Sequence, residues 1–102
     1  MGAKPPGLKP NQAQIVLDIC KQELPFNEIW VFGSRAGLNY KPHSDLDLAI
    51  IDPPSVSEEA RSRLECAFEE SDLPFRVDLV VWSELAEALQ KQILSAHSKL
   101  CP

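Results

Sequence analysis

The sequence predicts one small α+β domain in which β-strands are flanked by helices. Its 102 residues suffice for a single hydrophobic core, and the hydrophobic and charged shares of 44% and 25% are ordinary for a globular protein. Apolar residues alternate between helical and strand spacing in the order α, β, loop, β, α, β, α. No apolar run approaches the roughly 20 residues that a membrane-spanning helix needs, so no membrane association is expected.

The chain opens with a segment that is expected to be a flexible leader. Residues 1–10 contain three prolines and two glycines, which favour irregular backbone. A helix is predicted over residues 11–24, because Pro25 cannot continue the helical hydrogen-bond ladder. The folded domain is therefore expected to occupy residues 11–102.

Two strands and a loop are predicted next. The β-rich run at 29–32 indicates a strand that stops at a glycine. The segment 33–44 has no apolar periodicity and is interpreted as a loop that opens with one helical turn. Residues 45–51 predict a second strand, and apolar side chains on both of its faces beyond Asp47 place this strand in the middle of the sheet.

The second half of the chain is predicted as helix, strand and helix. Ser55 and Glu58 have the spacing of a capping box, and the helix that they open is broken at Leu73-Pro74. Residues 76–82 predict the third strand. Ser83 is expected to cap the last helix.

The three cysteines favour a reducing compartment. Cys20, Cys66 and Cys101 are an odd number, are widely separated and form no Cys-x-x-Cys pair, so neither a disulfide framework nor a zinc knuckle is expected. Cys20 and Cys66 fall on apolar helical faces and are predicted to be buried. The N-terminus lacks the apolar core of a signal peptide, and a cytoplasmic protein is expected.

The charge balance disfavours binding to long nucleic acid. Ten basic side chains stand against fifteen acidic ones, for a formal net charge of −5. The basic residues are scattered singly, whereas a protein that follows a phosphate backbone normally carries a basic stripe. A small anionic ligand held by a few dipoles remains compatible with this pattern.

Three aspartates are the candidate metal ligands. Asp45 and Asp47 are two residues apart on a predicted strand, so their side chains lie on one face, and Asp78 is the lone acid in the apolar third strand. If the two strands are neighbours, the carboxylates form a cluster that suits Mg²⁺, which prefers oxygen ligands. The alternatives are a solvated strand end for the first two acids and a salt bridge of Asp78 with Arg76 or Arg35.

Gly33, Ser34 and Arg35 are the candidate phosphate-binding residues. A strand that runs into Gly-Ser and a short turn exposes backbone N–H groups, which favour an anion. The glycine allows close approach of a phosphate, the Ser34 hydroxyl adds a donor, and Arg35 contributes a positive charge. Taken alone, Gly-Ser is an ordinary turn signal.

The motifs taken together resemble a known family. The runs Gly33-Ser34-Arg35, Ser44–Ile50 and Val77–Val80, with Asp45 twelve residues after Gly33, are similar to the DNA polymerase β-type nucleotidyltransferase superfamily. The similarity is closest to its minimal nucleotidyltransferases, the short proteins of the MntA antitoxin type, and covers roughly residues 11–95. One departure is that these proteins usually carry a second glycine five residues after the first, where Leu38 stands here after Gly37.

The resemblance implies a nucleotidyltransferase-like mixed sheet and a specific reaction. Gly33 and Ser34, with Arg35, would bind the phosphates of ATP. Asp45, Asp47 and Asp78 would ligate Mg²⁺, and Asp78 would also activate the acceptor hydroxyl. AMP would then be transferred to that hydroxyl with release of pyrophosphate.

The resemblance also implies a partner. The chain ends about twenty residues after Asp78, so the acceptor is expected on another molecule, a separately encoded helical HEPN-type toxin whose tyrosine receives AMP. Trp82, Leu94 and Leu100 are candidate contact residues, with core packing as the alternative for each. A non-catalytic module that neutralises its partner by complex formation is the alternative function, and a homo-oligomer stays open.

Overall fold

The computed structural model describes residues 7–37 and 40–100. Short 3₁₀ turns follow the first and third strands at Gly33–Ala36 and Trp82–Glu84. None of the helices in the described ranges combines the length and apolar character that crossing a membrane would require. The regular elements are α1 (Pro10–Glu23), β1 (Glu28–Phe32), β2 (Leu46–Ile51), α2 (Glu58–Glu70), β3 (Val77–Val81), α3 (Glu87–Ser95) and β4 (Ser98–Leu100).

The four strands form one mixed sheet in the order β3-β2-β1-β4. β1 runs antiparallel to both β2 and β4, whereas β2 and β3 are parallel because α2 crosses over between them. The predicted α+β fold is confirmed, and so are the central position of β2 and its pairing with the third strand.

Strand alternation divides the sheet into a core face and a second face. On β2, Leu46, Leu48 and Ile50 are fully buried and point toward α1 and α2, which contribute further residues to the main core. Asp47 and Ala49 point to the second face. The main core consists of Leu8, Ala13, Val16, Leu17, Cys20, Leu24, Ile29, Val31, Leu46, Leu48, Ile50, Ala60, Leu64, Phe68, Val81 and Leu100.

The second face is partly covered by aromatic rings and the end of α3. The His97 ring stacks on Trp30 with a centroid distance of 4.2 Å, and Trp82 meets Trp30 edge to face at 5.3 Å. His97 Nδ1 lies 3.0 Å from the carbonyl oxygen of Ile93, which fixes the ring to the end of α3. Trp30 pairs with Ala49, so the rings lie on the face from which Asp47 projects, two residues further along β2.

The boundary of the folded region differs from the expected one. Gly7 N–H donates to the carbonyl oxygen of Arg35 at 3.0 Å, Leu8 is buried in the core, and α1 already begins at Pro10. A Cβ on Gly7 would collide with the Arg35 backbone, so the absence of a side chain permits this contact. Residues 7–10 thus belong to the fold, while residues 1–6 of the expected leader lie outside the described residues.

Two predicted helix caps are wrong. α2 is capped by Ser57, whose side chain accepts from Ala60 N–H, and not by Ser55. Ser83 lies in a 3₁₀ turn and donates to the Asp52 carboxylate, so the last helix starts later, after Ala86, without a side-chain cap. In both cases the capping residue type is present, but tertiary contacts select where the helix begins.

The predicted burial of two cysteines is confirmed for one of them. Cys20 is buried as predicted, and burial raises the pKa of its thiol to about 12. Cys66 is exposed on α2, so its predicted burial is wrong. Because α2 packs through Ala60, Leu64 and Phe68, position 66 falls on the outer side of that helix. Cys101 lies outside the described residues.

Candidate active site

The parallel pairing of β2 with β3 places two aspartates side by side. Asp47 is the register partner of Asp78, so both side chains project from the second face on adjacent strands. Adjacent strands are spaced about 4.8 Å apart, which is within the reach of a single ion bridging two carboxylates. Asp45 immediately precedes β2 and shares the alternation of Asp47. The second face therefore carries a carboxylate cluster at the start of these two strands.

The pKa of Asp47 reports how crowded this cluster is. Burial raises the pKa of Asp47 above its ordinary value of 3.8, and the negative charges of Asp78 and then Asp45 raise it further. Burial and like charges both disfavour the ionised form. The cluster is thus an unfavourable concentration of negative charge that a cation would relieve.

Gly33 brings the backbone against this cluster. It is the described glycine with a positive φ, 73°, a conformation that side chains disfavour. A Cβ at this position would strike the Asp47 carboxylate. The chain therefore passes directly over Asp47 as it leaves β1 and enters the 3₁₀ turn, and Ser34 follows at an exposed position.

Arg35 takes a different place from the one expected. Its side chain is 3% exposed, and its guanidinium donates to carbonyl oxygens of the segments on either side. Nε donates to Ser44 at 2.8 Å and Nη1 to Gly7 at 2.7 Å, while Nη2 lies 3.2 Å from the carbonyl oxygen of Pro42. The guanidinium also stacks over Phe75, 3.9 Å from the ring centroid. Arg35 thus holds the loop before β2 in place, and its donors are directed at protein carbonyls.

The carboxylates of Asp45, Asp47 and Asp78 are the side chains that could bind a divalent cation. As the side chains stand, no three His, Cys, Asp or Glu residues within 7–37 and 40–100 converge closely enough to hold a metal ion. The donor chemistry is nevertheless that of Mg²⁺, because three carboxylates supply hard oxygen ligands. Asp78 also lies 3.8 Å from a guanidinium nitrogen of Arg76, a solvent-exposed ion pair of the kind that contributes little. The donor set therefore fits Mg²⁺ by its chemistry, although the three side chains do not converge on one point.

The candidate contact residues separate in the structure. Leu100 is buried in β4 opposite Ile29, so core packing accounts for it, whereas Trp82 is half-buried against Trp30 on the second face. Leu94 is 54% exposed on α3 and stays available for a partner.

The sequence did not reveal the structural role of Arg35, because a charged residue after Gly-Ser suggests a phosphate ligand. Its carbonyl partners lie in segments whose proximity no local pattern reveals.

Comparison with known proteins identifies related sequences. The family described as polymerase beta, nucleotidyltransferase matches residues 14–101. The chain is 44% identical over 90 residues to the probable protein adenylyltransferase MntA of Haemophilus influenzae, which covers 88% of this chain and 79% of that protein.

Solved structures share the fold. A toxin–antitoxin complex with AMP-PNP contains a chain that aligns with a TM-score of 0.69 at 24% identity, over 87% of this chain and 72% of that one. A tri-AMPylated HEPN toxin of Shewanella oneidensis in complex with its MNT antitoxin aligns with a TM-score of 0.66 at 22% identity, over 87% and 68%. At these identities the likeness establishes the same chain architecture.

Proposed function

The chain belongs to the polymerase β nucleotidyltransferase family, and we propose that it transfers AMP from ATP to a hydroxyl group of a protein partner. The partner favoured by the relatives is a HEPN-type toxin, and the acceptor is a tyrosine of that toxin. In this role the protein is the antitoxin of a toxin–antitoxin pair.

One observation carries the proposal. The register of the parallel strands sets Asp47 beside Asp78, and the positive-φ Gly33 passes over the Asp47 carboxylate. Phosphate groups that approach the backbone at Gly33 and Ser34 would therefore lie next to the carboxylates. Such an arrangement favours chemistry at a phosphorus atom of a nucleotide.

The proposed step is an in-line displacement at the α-phosphorus of ATP. The acceptor hydroxyl oxygen forms a bond to the α-phosphorus while the bond from that phosphorus to the oxygen bridging to the β-phosphate breaks. Pyrophosphate leaves with the electron pair of that bond. The hydroxyl proton passes to a carboxylate oxygen of Asp78, whose side chain is 46% exposed and accessible to an acceptor.

Asp45, Asp47 and Asp78 are the residues that would hold Mg²⁺. Bound there, the ion would neutralise charge that develops on the phosphate oxygens. Gly33 and Ser34 would position the phosphates through the backbone and the serine hydroxyl. Arg35 is assigned a positioning role, since it fixes the loop that leads into Asp45.

The experiment compares ATP labelled at the α-phosphate with ATP labelled at the γ-phosphate. The purified protein is incubated with Mg²⁺ and host extract, with Asp47→Asn as the inactive control. Label from the α-position on one protein band, absent with the variant, is the expected result. Label from the γ-position alone would mean phosphoryl transfer and would overturn the proposal.

A binding module without catalysis is the second candidate function. It is favoured by the ion pair of Asp78 with Arg76 and by the incomplete convergence of the carboxylates. The two functions differ in the behaviour of Asp47→Asn. A catalytic antitoxin loses neutralisation of its toxin with this variant, whereas a module that acts by occlusion keeps it.

A further inference from the structure

A groove of about 670 Å³ runs along the outer edge of β3. Four consecutive strand residues, 77–80, line it together with residues of α2 and of the segment before β3. Since alternate strand residues point to opposite faces, a surface that touches all four lies along the strand's edge. β3 is the end strand of the sheet in the described part of the chain, and Asp78 belongs both to this groove and to the acid cluster.

The backbone groups that face the groove follow from the pairing with β2. The carbonyl of Arg76 accepts from Leu46 N–H at 2.8 Å, so residues 76, 78 and 80 direct their N–H and C=O groups at β2. Val77 and Leu79 therefore direct theirs outward. Arg61 of α2 agrees with this alternation, because its Nη2 donates to the outward carbonyl of Leu79 at 3.3 Å.

The remaining outward groups form a matched pair. Within the described residues the structure gives no partner to the Val77 carbonyl or to the Leu79 N–H, which flank Asp78. In a parallel ladder, one residue of an added strand donates to the residue before its register partner and accepts from the residue after it. A residue placed opposite Asp78 would use these two groups and leave the Arg61 contact intact.

We propose that an extended segment of the acceptor protein pairs in parallel with the edge of β3, with the residue that receives AMP opposite Asp78. This inference rests on the proposed function and specifies how its acceptor is recognised. The acceptor side chain would project from the same face as Asp47 and Asp78, at a strand spacing of about 4.8 Å. Strand addition to a sheet edge is an established means of peptide recognition, in which main-chain hydrogen bonds fix the register.

The charge of the groove specifies the sequence around the acceptor hydroxyl. Exposed Glu65 and Glu69 line the groove along with Asp78, while its Arg76 pairs with Asp78. A segment with basic residues near the acceptor is therefore complementary, and an acidic segment is repelled. Glu69→Lys is expected to weaken the preference for basic peptides.

The first test uses synthetic seven-residue peptides with a central tyrosine, β-branched neighbours and terminal lysines. AMP transfer from ATP in the presence of Mg²⁺ is followed by mass spectrometry. N-methylation of the tyrosine nitrogen removes the N–H that would donate to Val77 and is expected to lower kcat/KM about ten-fold. N-methylation of the next residue, whose N–H points away from β3 in a parallel ladder, is the matched control and should have little effect.

The peptide results separate this inference from the proposed function. If the extract protein is labelled from α-labelled ATP but no peptide is, the docking proposal is overturned while nucleotidyl transfer stands. If neither is labelled, the proposed function itself fails. A loss confined to the peptide methylated after the tyrosine would indicate antiparallel pairing and would overturn the proposed register.

The second test changes the protein. Leu79→Pro removes the outward N–H without touching the ladder to β2, and is expected to abolish peptide transfer. Leu79→Ala removes the same side chain but keeps the N–H, and should reduce transfer far less than Leu79→Pro does. Circular dichroism checks that both variants fold, and the peptide test stands if either does not. If the free protein is a dimer that Leu79→Pro dissociates, a second copy occupies the edge and the proposal is wrong.

Discussion

Gly33 is the residue at which the backbone and the carboxylates compete for space. Its φ of 73° and the collision of a Cβ with Asp47 both oppose any side chain. Gly33→Ala should lower the free energy of unfolding by about 1–2 kcal/mol, from the left-handed backbone alone. It should also reduce AMP transfer by a larger factor than this loss of stability explains, because the carboxylate is displaced. Thermal unfolding and transfer assays measure the two effects.

Gly37 provides the matched control for that substitution. Its φ of −129° is accessible to any residue, and a Cβ there would meet no atom within 4 Å. Gly37→Ala should leave both stability and transfer near those of the wild-type protein. Equal losses in the two variants would show that glycine is needed for general flexibility of this turn, and would contradict the role given to Gly33.

Asp47 should carry a cost in stability that depends on pH. Because its pKa is raised in the folded state by burial and by Asp78 and Asp45, the ionised form opposes folding. The contribution to stability is present below pH 3.8 and is lost as the pH rises through the raised value. Asp47→Asn should therefore raise the Tm at pH 7 by about 2–4 °C, and this gain should vanish in acid.

Melting curves at several pH values check this prediction. Asp72→Asn, at an exposed position outside the cluster, is the control and should change the Tm little at any pH. A variant at position 47 that is less stable than the wild type at neutral pH would mean that the carboxylate makes favourable contacts in the folded state. The same Asp47→Asn protein should be inactive in transfer, so function and stability would oppose each other at one side chain.

At the scale of elements, Arg35 joins its own turn to Gly7 at the start of the fold and to the loop before β2. Its donors reach Gly7, Lys41, Pro42 and Ser44. Arg35→Lys should destabilise the protein by about 2–4 kcal/mol, because an ammonium cannot replace the planar fork and leaves buried carbonyls unpaired. Arg76→Lys, at a side chain that is 82% exposed, is the control and should be nearly neutral.

Urea denaturation distinguishes this role from phosphate binding. If Arg35 contacted ATP instead, its lysine variant would keep the wild-type stability and raise the KM for ATP. That outcome would contradict the positioning role described above.

The elements differ in how much of them the sequence reveals. β2 was predictable because polar and apolar residues alternate along it. This two-residue period places Asp45 and Asp47 on one face and Leu46 and Leu48 on the other. The three residues of β4 show no period, and only pairing with β1 makes them a strand. The sequence could predict that Asp47 and Asp78 lie on neighbouring strands. That they stand directly opposite each other depends on how α2 crosses from β2 to β3.

The site divides in the same way. The acid motif and Gly33 are local signals, since each is defined by residues adjacent in the chain. The place of Arg35 is not local, because its partners come together only in the tertiary structure. Charged residues are rarely buried fully, so composition favours a solvent-facing or ligand-facing role for such an arginine.

For the whole molecule, the short final strand β4 should contribute substantially to the free energy of unfolding. β4 covers one edge of β1 and buries Leu100, which is 7% exposed. A chain that ends at His97 should lose about 2–3 kcal/mol of unfolding free energy from this burial. Urea denaturation measures the loss, and Lys99→Ala, at an exposed position of the same strand, should change stability by less than about 0.5 kcal/mol.

The stability of the truncated chain shows whether the fold depends on β4. If the truncated chain were as stable as the full one, the sheet would need no cover on its β4 side, and the core formed with α1 and α2 would be sufficient. A marked loss would mean that β4 stabilises the sheet through its pairing with β1 and the burial of Leu100.

The alternation along β2 couples the reaction to folding in a way that constrains how such chains can diverge. One residue added before Ser44 would leave the two faces of β2 unchanged, but the loop would still have to present its carbonyl oxygens to Arg35. One residue added between Asp45 and Asp47 would turn leucines toward the second face and a carboxylate into the core, because a shift of one position exchanges the two faces of a strand. Descendants of this sequence can therefore change the length of the segment before the strand, provided that its contacts with Arg35 are kept. Within the strand, an insertion or deletion would remove catalytic geometry and foldability together.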